Sequence, residues 1–204
     1  MKKTILLLSC SMFLQQIIFA QEDETQEKKP FKEHLFTGGS VSLVFYNNTF
    51  LIGGNPVFGY TVGKWVDLGV VANFSYSSEH GTYGDYLHQT IYGGGVFTKI
   101  YPLRSIFLQA QLEHNFIKQK YFPYGTNTVE KANVDANSLL VGAGYTTGRF
   151  PGQSFFYFAI LVDVLGQDHS PYLYNDPYRK NEIIPIVRTG IQIPLFQGKK
   201  NESD

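Results

Sequence analysis

From His34 onward, apolar and polar side chains alternate in short segments separated by Gly, Pro, Asn and Asp. Successive side chains of a strand point to opposite faces, so this alternation predicts strands with one apolar face and one polar or small face. The first segment sets Val41, Leu43 and Phe45 against Ser40 and Ser42. The third sets Val66, Leu68, Val70, Ala72, Phe74 and Tyr76 against Asp67, Gly69, Asn73, Ser75 and Ser77. In the fifth, Ile106, Leu108, Ala110 and Leu112 oppose Gln109, Gln111, Glu113 and Asn115. In the sixth, Leu139, Val141, Ala143 and Tyr145 oppose Ser138, Gly142, Gly144 and Thr146. The seventh runs Phe156, Phe158, Ile160, Val162 and Val164 with Asp163 on the other face, and the last sets Val187, Ile191, Ile193 and Leu195 against Arg188, Gly190 and Gln192. Segments two (about 49–62) and four (about 86–101) alternate poorly, which leaves their registers open. No amphipathic helix of ordinary length and no repeat at a fixed period is legible.

Eight strands follow, and their connectors alternate in length. Gly63-Lys64, Pro102-Leu103-Arg104 and residues 148–153 are short, whereas 78–86, 122–134 and 166–182 are longer and rich in Gly, Pro, Asn, Asp and Tyr. Only the first connector of the long set, Asn47-Asn48-Thr49, is brief. Short turns at one end and long loops at the other are the topology of an up-and-down barrel in an outer membrane.

Alternation alone does not say which face is inside, and here composition decides. A solvated exterior normally carries about 25–35% charged residues, yet the polar face of segment three offers only Asp67. The polar faces are Gly, Ser, Gln and Asn, while aliphatic and aromatic residues fill the opposite faces. Phe45, Tyr60, Trp65, Phe74, Tyr101, Phe116, Phe155 and Phe196 lie near strand ends, as in an aromatic girdle. The expected fold is therefore all-β, an eight-stranded antiparallel up-and-down transmembrane β-barrel over residues 34–197, apolar outside and polar inside. An unpaired backbone group in hydrocarbon costs several kcal/mol, so the last strand is expected to close on the first.

The N-terminus supplies a route to the envelope. Lys2 and Lys3 precede an apolar stretch ending at Ile18-Phe19-Ala20, which reads as a cleavable signal over residues 1–20. Its removal takes the only cysteine and leaves 15 basic and 17 acidic side chains, a net −2. That balance gives no reason to expect nucleic acid as a partner. Residues 21–33 are charged and aperiodic, expected as a flexible leader, and 198–204 form a polar tail.

The segments Ile91-Tyr92-Gly93-Gly94-Gly95-Val96-Phe97, Leu139-Leu140-Val141-Gly142-Ala143-Gly144-Tyr145 and Ile186-Val187-Arg188-Thr189-Gly190-Ile191, with Ser170-Pro171-Tyr172, resemble small outer-membrane β-barrel proteins of Bacteroidota. The resemblance covers roughly residues 37–196 and implies an eight-stranded barrel of the OmpA/OmpX type; the apolar last strand ending in Leu195-Phe196 is of the kind that outer-membrane assembly machinery reads. It carries no reaction. Outer-membrane lipids are the expected surroundings, a monomer the expected state, and no cofactor is expected.

Strand parity puts four charges on the lumen side: Asp67, Glu113, Asp163 and Arg188, with Lys99 at the edge of the set. Eight strands enclose just enough room for side chains, and a lone buried ion costs several kcal/mol. Arg188 is therefore expected to pair with Asp163, Glu113 or both, as a structural plug or a gate across a narrow pore. Tyr83, Tyr86, Tyr124, Tyr172 and Tyr174 lie in or beside the long connectors and are candidates for an extracellular recognition surface, or for a plain interfacial ring.

Catalytic signals are weak. Asp168-His169-Ser170 groups three suitable residues, but neighbours in sequence rarely converge as a relay. No HExxH or acidic calcium-loop pattern is present, and Gly142-Ala143-Gly144 lacks dinucleotide-loop spacing. The sequence thus predicts a structural or surface-binding barrel without catalysis. The alternatives are a narrow selective pore, an outer-membrane lipid-modifying enzyme, and a soluble periplasmic lipocalin-like binding barrel.

Overall fold

A computed structural model describes residues 30–197 except 47, 82, 83, 127, 168, 177 and 178, and gives residues 174–182 without their side chains. The signal segment and polar tail lie outside the described residues. A single 3-10 turn, Phe31–His34, precedes the first strand and overlaps the segment read as leader. Phe31 stacks on Tyr60 there, with ring centroids 4.9 Å apart.

Ten strands follow among the described residues: β1 Leu35–Tyr46, β2 Thr49–Thr61, β3 Val66–His80, β4 Tyr86–Leu103, β5 Ile106–Phe122, β6 Glu130–Thr146, β7 Phe155–Asp163, β8 Leu173–Asp176, β9 Arg179–Ile183 and β10 Ile186–Pro194. Eight of them form a closed antiparallel barrel in the order β1-β10-β7-β6-β5-β4-β3-β2, and β8 and β9 pair with each other alone. Closure is made by β1 on β10, from Phe36↔Pro194 to Leu43↔Val187. No helix among the described residues is long and apolar enough to cross a membrane.

The burial pattern resolves inside from outside. Leu68, Val70, Leu108 and Leu112 are each about half exposed, at 45%, 53%, 52% and 54%, whereas Asn73 and Gln109 keep 3% and 7%. The apolar face looks outward and the polar face is the sealed one. The loosely read strands now have registers. Ile91, Phe97 and Lys99 of β4 and Leu51 and Asn55 of β2 point inward.

The interior is more apolar than parity suggests. Tyr101 and Phe155, expected in the outer girdle, are buried at 2% and 4%. Four inward aromatics sit directly opposite a glycine on the next strand: Phe36↔Gly59, Phe97↔Gly69, Phe107↔Gly144 and Tyr157↔Gly190. A Cβ at any of these glycines would run into the ring beside it, so the bare position is what admits the aromatic.

Two boundaries move. Strand β6 begins at Glu130, inside the stretch read as a loop, because backbone pairing with β5 continues to Tyr121↔Glu130 although the side chains there carry no apolar alternation. The last connector is not all loop, since it contains the β8–β9 hairpin.

Candidate functional site

The lumen holds one polar layer between apolar ones. Toward the loop end lie buried Val44, Leu51, Ile91, Ile117, Leu140 and Ile186, and toward the termini lie Phe36, Val71, Phe97, Phe107 and Tyr157. Between them Arg188 donates from Nη2 to Glu113 Oε1 at 3.0 Å and from Nε to Ser42 Oγ at 3.0 Å. Glu113 also accepts from Asn115 at 3.0 Å and from Gln111, which in turn accepts from Gln109 at 2.8 Å. Asn73 donates to Asn115 at 3.2 Å and Asn55 to Ser42 at 2.7 Å. The network therefore ties five barrel strands together, which matters because an unpaired charge at this depth is costly.

Asp163 is not part of that layer. Arg188 pairs with Ala159 in the ladder, four residues from Asp163 and roughly 13 Å away along β7. Being on neighbouring strands is thus insufficient for an Arg188–Asp163 contact. Asp163 instead accepts from the backbone N–H groups of Leu139 and Leu165, at 3.1 and 3.0 Å, and from the Ser170 hydroxyl at 2.6 Å. Three donors serve this carboxylate, and no cation among the described residues pairs with it.

Each end of the lumen has a stopper. At the loop end the last connector dips inward. Ser170 lies against Ser138, 3.1 Å between hydroxyls, and the Tyr172 hydroxyl donates to Glu113 at 2.9 Å. Tyr172, a candidate for the surface, is only 1% exposed. Its inward position has a local cause: backbone bonds from Ser170 N–H to the Gln167 carbonyl and from Leu173 N–H to the Ser170 carbonyl turn the chain so that Ser170 and Tyr172 face the two carboxylates. At the other end Arg149, in the β6–β7 turn, reaches Asp67 at 2.6 Å and the carbonyls of Gly63 and Lys64 at 2.9 and 2.6 Å. Its guanidinium lies 4.5 Å from the Tyr101 ring, and Asp67 also accepts from Gln192 at 2.9 Å. Arg149 escapes parity because a turn has no periodic face.

Lys99 points into the same lumen, its ammonium 3.8 Å from the Tyr157 ring centroid and 5.2 Å from that of Phe107, the geometry of a cation on aromatic faces. A void of about 10 Å³ remains beside Lys99, Gln111, Tyr157 and Arg188, space for one water at most.

The other tyrosine candidates divide. Tyr83 and the side chain of Tyr174 lie outside the described residues. Tyr124 is exposed in the β5–β6 connector, and Tyr86 faces outward against His80, ring centroids 4.5 Å apart. Of the Asp168-His169-Ser170 set, Asp168 is outside the described residues, His169 is exposed and Ser170 is bound to Asp163.

Beyond the ladder with β7, which ends at Leu140↔Asp163, β6 continues for residues 130–139 as the margin of a wall formed by the long strands β3–β6. The wall's two faces differ in charge. The face continuous with the barrel's outside carries the row His88↔Lys120↔Lys131 and, one row closer to the barrel, Thr90↔Lys118↔Asn133. The face continuous with the lumen carries Glu79↔Leu87↔Tyr121↔Glu130, and Tyr121 donates to Asp85 at 3.0 Å.

Comparison with known proteins yields neither a matching family model nor a matching curated protein. Solved structures with a similar arrangement include the attachment invasion locus protein Ail of Yersinia pestis, crystallised with the heparin analogue sucrose octasulfate, at 11% identity over 78% of this chain and 94% of that one, TM-score 0.43. Neisserial surface protein A is similar at 10% identity over 79% and 96%, TM-score 0.40. The N-terminal β-barrel domain of Pseudomonas aeruginosa OprF is similar at 14% identity over 79% and 98%, TM-score 0.36.

Proposed function

We propose that the protein is an integral β-barrel of an outer membrane, delivered there through its N-terminal signal, and that it works as a surface-binding scaffold without conduction or catalysis. The observation that carries this reading is the inverted barrel: aliphatic side chains half exposed all round the outside, with polar ones sealed within. A soluble lipocalin-like barrel has the reverse arrangement, and so large an exposed apolar surface is untenable in water. Stoppers at both ends and a void of about 10 Å³ in the middle argue against a standing pore. What remains accessible is the wall and the loops, so binding is assigned to them. Short of Asn137, the margin of β6 has no partner strand among the described residues and offers backbone groups to one.

Two measurements test the reading. The protein should stay with membranes through an alkaline wash, need detergent for extraction, and run as a compact band that shifts on boiling. Reconstituted in planar bilayers it should give no discrete current steps. Solubility without detergent would overturn the membrane assignment, and stable channels would overturn the sealed scaffold.

A further inference from the structure

We infer that the outer face of the wall binds the phosphate groups of an anionic glycolipid headgroup, through Lys118, Lys120 and Lys131 with His88 at the edge of the row. The inference rests on the membrane assignment above and adds a ligand to it.

Four observations converge. Lys120 stands directly opposite Lys131 across one ladder, where like charges destabilise a sheet, and opposite His88 across the other. No carboxylate of the described residues lies within ion-pair distance of Lys118, Lys120 or Lys131, all of which are exposed. The acidic groups of the wall, Glu79 and Glu130, are on its opposite face, and Asp135 shares the lysines' face only beside Phe116, farther toward the barrel. An external anion is therefore what offsets the repulsion.

Depth selects the source of that anion. Tyr92 and Phe116 stack at 5.7 Å, and the Lys118 ammonium lies 5.4 Å from the Tyr92 ring. Directly below that pair the face carries Gly94 and His114, the latter bonded to Asn137 at 2.9 Å, and from the next row it is apolar, with Val96 opposite Leu112. Aromatic pairs of this kind mark the boundary between acyl chains and headgroups. Lys120 is four residues past Phe116, roughly 13 Å along the strand, which places the ammonium groups where headgroup phosphates lie. Opposed residues on one face are about 5 Å apart and next-but-one residues about 7 Å, so two or three lysines can meet one diphosphorylated headgroup. A soluble polyanion would have no reason to require continuity with the lipid-facing surface.

The test uses the full mature protein extracted in neutral detergent, with native mass spectrometry counting retained diphosphoryl lipid A. Wild type should retain it, and the triple variant Lys118→Gln, Lys120→Gln, Lys131→Gln should retain it at least about tenfold less, since each surface cation contributes attraction to anionic lipid. Lipid A stripped of both phosphates should bind wild type no better than the variant. The heat-modifiable gel shift should be the same for both proteins. Equal retention by wild type and a normally folded triple variant would overturn the proposal alone. So would undiminished binding of the dephosphorylated lipid, or competition by inorganic phosphate or a sulfated oligosaccharide equal to that of lipid A at matched concentration. Failure of wild type to give the gel shift would overturn the membrane reading and the proposal with it.

Discussion

The two ends of the lumen are closed by opposite strategies. At the termini end the stopper is Arg149 on a tight turn, a guanidinium held by two backbone carbonyls, a carboxylate and a ring face. At the loop end it is a tyrosine and a serine carried inward by a long connector and held by hydroxyl donation to Glu113 and Asp163. The first carboxylate depends on its cation. The second pair does not depend on the stopper, because Glu113 has Arg188, Asn115 and Gln111, and Asp163 has two backbone N–H groups. One end is fastened as part of the fold, and the other is a loop laid on two carboxylates that other donors already hold.

That difference sets an order of effects. Arg149→Ala leaves Asp67 buried with Gln192 as its remaining donor, and should cost about 3–5 kcal/mol, the usual penalty for stripping one partner from a buried pair. Urea unfolding of the liposome-inserted protein measures it, and Arg149→Lys should recover little because an ammonium lacks the fork that reaches two carbonyls and a carboxylate together. A loss below about 1 kcal/mol would mean that something other than Arg149 holds that end. Tyr172→Phe removes one hydrogen bond to a charged acceptor while keeping the ring in place, for about 1.5–3 kcal/mol. If Tyr172→Phe proved the more damaging of the two, the contrast between a built-in stopper and a laid-on one would fail.

Much of this was legible in the alternation. Period-two patterning in six segments, together with the scarcity of charge on the polar faces, was enough to read an inverted closed barrel, because a one-residue slip would turn every side chain to the wrong face. Parity likewise put Asp67, Glu113, Asp163 and Arg188 on the inner side. Parity fixes only a face, however. Register along the strand decides partners, so Arg188 meets Glu113 and misses Asp163. The start of β6 was unreadable because Glu130–Asn133 pairs through its backbone and stays exposed, leaving no periodic signal. Tyr172 and Arg149 were invisible as stoppers for a related reason: both are in connectors, where side-chain direction follows from turn geometry and not from spacing.

The account stands on which face meets lipid, and a spin label on the outward face reads that directly. With the label at Leu108→Cys in the reconstituted barrel, collision with lipid-soluble oxygen should be frequent and collision with a water-soluble nickel chelate rare, while a label at Tyr124→Cys in the loop gives the reverse. Ready collision of the nickel chelate with the Leu108 label would place that face in water and contradict the membrane barrel.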